Sequence, residues 1–493
     1  MAEEQDTTKQ DLEDYLALYS MEECLDEIMN TIVVERPPNP YVAIGQLFEA
    51  KTKAEIVDIQ FRPIIVSGEF GVQALLVTNI TTFCGVASYS SAPSMDPVEG
   101  ENPKELKNYD MLRDKIRDAV LEICPTNLAK LDQAVADLAG VNPAEALALS
   151  IACTRAAARH KGLKLYQFVA HAAGLKESEL RLPVPAAAVL SKLIDGGTQD
   201  ISLTPVAASS FPHALEKLLQ VSALVRSAEH VQPNLSAWGS PSMNCKSVAE
   251  ASKVVHQVLE SHNLLSDFKQ GLHLHAEKLV HTTDTEEPVY KYAYDGPAPV
   301  VALSGADSVE QLTSLWVQTD LLTLEGLAVP KDHDTLKLLR QKVLEITYDL
   351  KASGSDSLAY CLPGVGGDAS CCLQVPLDAL TFSQIDNVEQ YMQEMPHNCI
   401  SLSLAHFTSV SQALDVVRKA RATRWPVTVY ASDSSYLPES SDPFLADFAV
   451  GVGASQVLFG GLQGAQFLSK YNRLMEIAEE SPDIQYGRSF RQM

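Results

Sequence analysis

The sequence predicts an α/β barrel preceded by a smaller α+β domain and, at the N-terminus, by a two-helix module. Three observations carry this. From residue 182 onward, apolar strand-like runs at 300–303, 321–324, 399–404 and 427–430 alternate with helical stretches. Such alternation builds a mainly parallel sheet, and the length suits a barrel. Residues 56–80, IVDIQFRPIIVSGEFGVQALLVTNI, alternate in places and are rich in β-branched residues, which predicts a hairpin with a glycine-containing turn. Leu12, Leu16, Tyr19, Leu25, Ile28 and Ile32 fall close to one face of a helix.

In chain order, three segments follow: 1–54, 55–180 and 181–493. In the first, Glu35-Arg36-Pro37-Pro38-Asn39-Pro40 ends the helix, because proline lacks a donor and restricts the residue before it. Residues 41–51, YVAIGQLFEAK, form a second, shorter helix. Two helices with one apolar face each cannot enclose a core, so they need a partner, most simply a second copy. In the second segment, residues 104–133 are charged and helical in pattern, and the alanine-rich stretch 143–171 predicts helices interrupted near Lys161-Gly162. No fixed internal period marks a repeat architecture.

Bulk chemistry excludes several roles. The 493 residues are 46% hydrophobic, enough for a large core. A formal net charge of −25 repels a phosphate backbone, which argues against nucleic-acid partners. No apolar run approaches the ~18 residues of a membrane span. The first residues, MAEEQDTTKQDLEDY, lack the basic and apolar segments of a secretory signal. Nine cysteines with no C-x-x-C spacing fit a reduced, cytoplasmic setting.

The stretch YLALYSMEECLDEIMNTIVVERPPNPYVAIGQLFEA resembles the dimerisation-docking motif of the regulatory subunit of cAMP-dependent protein kinase and of related ciliary proteins. The E-R-P-x-x-P turn followed by a short amphipathic helix carries most of the likeness. The resemblance implies a homodimeric four-helix bundle with a groove for a partner's amphipathic helix. Leu25, Ile28 and Ile32 would then face the partner, with Leu47 and Phe48 closing the bundle. The other reading is an ordinary hairpin packed on the chain's own body.

Residues 454–480, ASQVLFGGLQGAQFLSKYNRLMEIAEE, resemble the end of an enolase, which reads G-Q-I-K-T-G-A and then L-A-K-Y-N-Q-L-L-R-I-E-E-E. The likeness extends over residues 55–493, through Lys161-Gly162-Leu163-Lys164-Leu165-Tyr166, Leu182-Pro183-Val184-Pro185-Ala186, Asp447-Phe448-Ala449-Val450-Gly451 and Gly487-Arg488-Ser489-Phe490-Arg491. The divergence is similar to that of the sperm and ciliary enolase-like proteins. The implied fold is α/β and enolase-like: an N-terminal α+β capping domain followed by an α/β barrel, preceded by the docking module.

Enolase chemistry removes a proton α to a carboxylate and expels hydroxide, with divalent cations stabilising the enolate and a lysine taking the proton. The resemblance maps each part onto this chain. The three metal carboxylates fall on His273, Glu325 and Ala379, with Asp378 beside the last. The lysines fall on Ser403 and Leu458. The substrate-contacting histidine and arginine of S-H-R-S fall on Ala431 and Ser432. The acidic residue of the Q-E pair is Asp200, one methylene shorter. The N-x-I-N-G-G-x-H-A loop is essentially lost at 188–197, and the mobile S-G-A-S-T loop is reduced to Ser90-Ser91-Ala92-Pro93-Ser94. Neighbours at a strand end point to opposite faces, so Asp378 poorly replaces the missing ligand. Glu325 and Asp378 alone make a weak Mg2+ site, so no cofactor is expected, and Mg2+ only if the family site is kept.

Other motifs have simpler readings. His273 and His275 with Glu325 could bind zinc or nickel, but one buried and one exposed strand histidine is the simpler account. Pro363-Gly364-Val365-Gly366-Gly367-Asp368 lacks the ending of a phosphate loop and reads as a surface loop. Cys371-Cys372 is a thiol pair without redox spacing, and Gly460-Gly461-Leu462-Gln463-Gly464 an inherited turn.

The functional expectation is an enolase-like pseudoenzyme acting as a scaffold. The resemblance implies the axoneme of a motile cilium or sperm flagellum as its site and amphipathic helices of ciliary proteins as its partners. The alternative is an active phosphopyruvate hydratase in flagellar glycolysis, converting 2-phospho-D-glycerate to phosphoenolpyruvate. A metabolite sensor with a remodelled pocket is a third. A lysine such as Lys278 or Lys192 placed beside Glu325 would favour the enzyme.

Overall fold

The structure is a computed structural model. It describes residues 16–17, 20–51, 56–68, 71–82, 85–93, 110–121, 123–138, 141, 143–194, 197–236, 238–243, 245, 248–273, 280–282, 288–291, 302–319, 321–325, 333–352, 373–431 and 442–487.

At the N-terminus, α1 (Met21–Glu35) and α2 (Pro40–Lys51) form a hairpin. Arg36 closes α1 in the left-handed region at φ 49°, its amide donating to the Ile32 carbonyl, and the two prolines prevent continuation. Asn39 accepts from the Val42 amide at 3.4 Å, and Pro40 sits at the first helical position, where its missing N–H costs nothing. Ile28 and Ile32 are buried within this single chain, whereas Leu25 is exposed and Leu47 and Phe48 are half-buried. Of the expected docking residues, Ile28 and Ile32 are thus covered within their own chain and Leu25 is the exposed one.

An antiparallel sheet follows, with β1 (Ile56–Gly68), β2 (Gly71–Thr82) and β3 (Gly85–Pro93) in that order. The turn joins Gly68 to Gly71, as the hairpin reading expects. The third strand was not anticipated, and residues 90–93 lie in it rather than in a loop. Then come α3 (Asp110–Val120), α4 (Leu128–Ala136), α5 (Pro143–His160) and α6 (Leu165–Ala173), with α5 lying across β2 and β3. Ile56, Ile59, Ile116, Leu131 and Leu149 belong to a core of their own.

The remainder winds a barrel. After β4 (Arg181–Leu182) come β5 (Val184–Ile194), β6 (Gly197–Thr204), α7 (Phe211–Arg226), β7 (Val231–Leu235), β8 (Pro241–Met243), α8 (Val248–Ser261) and β9 (Lys269–His273). Next are β10 (Val280–Thr282), β11 (Pro288–Lys291), β12 (Ala302–Leu303), α9 (Gly305–Thr319), β13 (Leu321–Glu325), α10 (His333–Ala352), β14 (Pro376–Asp378), α11 (Ala379–Ser383) and α12 (Val388–Glu394). The chain continues through β15 (Cys399–Leu402), α13 (Val410–Ala422), β16 (Val427–Tyr430), α14 (Phe444–Gly451), β17 (Gln456–Gly461), α15 (Ala465–Glu480) and β18 (Gln485–Tyr486).

The barrel order is β13-β9-β6-β5-β17-β16-β15-β14. The Leu324 amide donates to the Gln374 carbonyl at 2.8 Å, bringing the last strand back to the first and leaving a nearly closed barrel. Only β6 runs antiparallel to both of its neighbours; the other barrel pairs are parallel. Residues 188–194, expected to be a lost loop, continue β5 and pair with β6. The run at 300–303 is not a barrel strand: β12 pairs with β11 in a separate small sheet. Side-chain bonds tie the barrel to the preceding domain, among them Val410 N to Ser150 Oγ at 2.9 Å and the Arg155–Asp442 ion pair.

Candidate functional site

Sites on barrels of this type form where the parallel strands end, so the residues there decide the chemistry. Register aligns Asp200 on β6 with His273 on β9, and His273 with Glu325 on β13. Ser191 on β5 pairs with Asp200. Four candidate polar positions therefore form one row across adjacent strands.

The neighbouring row is apolar. Ala186, Ala188, Trp238, Tyr430 and Leu458 form a compact buried cluster, with Leu458 paired to Tyr430 on one side and Ala186 on the other. The Trp238 and His273 rings lie 5.9 Å apart, and His273 and Tyr430 6.4 Å apart. Leu458 is only 8% exposed, so a lysine there would take an ammonium group from water into contact with aromatic and methyl groups. Leucine at this position gains about 1.5–3 kcal/mol from burial instead.

Trp238 is held in place by a short strap between β7 and β8. Its amide donates to Ser236 Oγ at 3.2 Å, and its carbonyl accepts from the Gly461 amide at 2.5 Å. Gly239, at φ 73°, has no room for a side chain: a Cβ would sit 2.3 Å from the Gln463 carbonyl oxygen. The strap's other contact is polar. Ser191 Oγ donates to the Asp200 carboxylate, and the Ser236 and Ser240 hydroxyls lie 3.0 Å apart beside it. The buried carboxylate thus accepts from the Ser191 hydroxyl, which in turn meets the hydroxyls of Ser236 and Ser240. Sequence reasoning identified Asp200 but missed Ser191, Ser236, Trp238 and Ser240. The Trp-Gly-Ser-Pro run at 238–241, a turn signal beside a large aromatic, was the available clue.

On the opposite side, Asp378 caps α11, accepting from the amides of Leu380 at 2.9 Å and Thr381 at 3.1 Å. Its second oxygen accepts from His406 Nδ1 at 2.9 Å. Burial pushes the Asp378 carboxyl upward, but His406 and the two amides outweigh it and hold the pKa below its ordinary value. His406 meets Tyr430 edge-on at 6.0 Å, so aromatic contacts run from Trp238 through His273 and Tyr430 to His406. Ser403 is buried, and its hydroxyl accepts from the Ala405 amide at 3.4 Å at the start of a short 3-10 turn. Ala379 is fully buried, and Ala431 is buried with its amide donating to the Leu458 carbonyl at 3.0 Å. For Glu325 and Lys192 the structure describes the backbone only. Ser432, His275, Lys278, the 363–368 loop and Cys371-Cys372 lie outside the described residues.

These donors do not fit a magnesium site. Mg2+ requires near-octahedral oxygen ligands. At the three aligned positions stand an imidazole packed between Trp238 and Tyr430, the retained Glu325 and a methyl group, and the neighbouring Asp378 carboxylate is engaged as a helix cap. Among the described residues, no group of three His, Cys, Asp or Glu side chains could hold a metal ion.

The protein is thus an α/β-barrel protein of enolase-like architecture. The family model of the enolase C-terminal TIM barrel domain matches residues 367–492. Cytosolic enolase 3 of Arabidopsis thaliana is 24% identical over 507 residues, spanning 96% of this chain and 97% of that protein. Both findings are likenesses to enolases, one over the C-terminal part of the barrel and one along nearly the whole chain.

Proposed function

We propose that this chain is an enolase-like pseudoenzyme that serves as a scaffold of the axoneme in a motile cilium or sperm flagellum, docking amphipathic helices of partner proteins through its N-terminal hairpin. One observation carries the loss of chemistry. At the strand ends, where a hydratase needs a lysine, metal carboxylates and room for a phosphorylated acid, Leu458, Trp238 and Tyr430 pack together instead. Ser403 and Asp378 are engaged in capping backbone amides. Neither Ser403 nor Leu458, at the two lysine positions, supplies a base able to remove a carbon-bound proton near neutral pH, and each lost group forfeits several kcal/mol of transition-state stabilisation.

The docking and ciliary parts rest on the motif at residues 15–50. Among the described residues no helix is long and apolar enough to cross a membrane. The second reading, a working phosphopyruvate hydratase, is favoured by the near full-length similarity to a protein named as an enolase. One assay separates the two. Purified full-length protein with 2-phosphoglycerate and Mg2+ is expected to form no phosphoenolpyruvate. Turnover that co-purifies with the chain and disappears in Glu325→Ala would establish the hydratase.

A further inference from the structure

The exposed face of α1 carries a chemistry that narrows the docking partner. Leu25, Met29 and Val33, spaced four apart, form a ridge with exposures of 43%, 49% and 64%. Spacing of four residues keeps side chains on one side of a helix. Glu22 and Asp26 share that spacing and border the ridge on its solvent side, with Glu23 beyond them; all three are exposed. Among the described residues no ion pair engages Glu22, Glu23 or Asp26. From residue 20 to the end of α2 the cations are Arg36 and Lys51, against Glu22, Glu23, Asp26, Glu27, Glu35 and Glu49.

We propose that this ridge receives a cationic amphipathic helix from a partner protein, with the partner's apolar side on Leu25, Met29 and Val33 and its lysines or arginines against Glu22, Glu23 and Asp26. The inference rests on the docking reading above and adds the partner's charge. Three partly exposed side chains offer far less than the ~1,200 Å² of a stable interface, so charge must steer the contact and fix its register. A second copy seated on this ridge, as distinct from one paired elsewhere in a bundle, would bring the same carboxylates against Glu22, Glu23 and Asp26, in a chain whose net charge is −25. A helix with a basic flank removes that repulsion.

The test uses the full-length protein and two fluorescent model peptides of about 18 residues, with leucines on one face and either lysines or glutamates on the other. Binding is read by anisotropy. The lysine peptide is expected to bind at least about tenfold tighter than the glutamate peptide at low ionic strength. That advantage should collapse near ~0.5 M salt, where screening is strong. Met29→Asp should abolish binding, and the double variant Glu22→Lys/Asp26→Lys should reverse the preference. If both peptides bind alike, and Met29→Asp still removes them, docking stands and the charge inference falls. Lysine-peptide binding that ignores Met29→Asp is non-specific attraction and also overturns it. If neither peptide binds and Met29→Asp lowers the sedimenting mass, the ridge belongs to a second copy. If neither peptide binds and the mass is unchanged, the docking reading itself fails.

Discussion

Leu458→Lys tests the central claim, that the barrel mouth is an apolar plug rather than an idle active site. Leu458 is 8% exposed and sits against Ala186, Ala188, Trp238 and Tyr430. The substitution forfeits the ~1.5–3 kcal/mol gained by burying leucine. It also takes an ammonium group out of water. The carboxylate at Asp200 already accepts from the Ser191 hydroxyl, and Asp378 from His406 and two amides. Desolvation of an ill-paired charge adds at least another ~1–3 kcal/mol. The expected loss is therefore about 2.5–6 kcal/mol, a fall of at least ~5 °C in the unfolding midpoint of a domain this large. Leu458→Met, which nearly conserves volume and adds no charge, should cost under ~1.5 kcal/mol. Differential scanning fluorimetry of the full chain compares the three proteins, and the Leu458→Lys/Ser403→Lys double variant is assayed with 2-phosphoglycerate. No turnover is expected, because His273 and Ala379 still leave a metal unsupported. A Leu458→Lys protein as stable as the parent would mean a hydrated, polar mouth. Turnover by the double variant would mean an intact metal site. Either result refutes the reasoning.

Trp238→Ala should destabilise the barrel by about 3–5 kcal/mol, since it removes the largest member of the cluster and frees the strap; a cost below ~1 kcal/mol would show that the ring is not a structural plug. Asp378→Asn should lower the unfolding midpoint through loss of the charged pair with His406, an effect of about 1 kcal/mol. The folded carboxyl lies below its ordinary pKa, so its stabilisation is full above that ordinary value and fades as the pH falls through the folded one. The gap between parent and variant, followed by thermal melts, should thus hold at pH ~5–6 and shrink below pH ~4; a gap that widens on acidification would contradict the assignment.

Much was legible without coordinates, because it depends on local rules. Proline chemistry at residues 37–40 marks a helix break whatever surrounds it, and Gly68 and Gly71 close the hairpin that β-branched alternation predicts. Alternating strand and helix patterns are enough for a barrel, and positions such as Leu458, Ser403 and Ala379 stand out only through the resemblance to enolases. Tertiary structure decided the rest. Residues 188–194 read as a vanished loop and are strand, because they pair with β6, a partner that the sequence alone does not reveal. Ile28 and Ile32 read as docking residues and are buried in their own chain, since periodicity locates an apolar face but not what covers it. Most of all, Trp238 and Ser191 are far apart in sequence from Leu458 and drew no notice. Only closure of the sheet brings Trp238 onto Leu458 and the strap hydroxyls onto Ser191, and a long-range juxtaposition of that kind leaves no trace in the spacing along one chain.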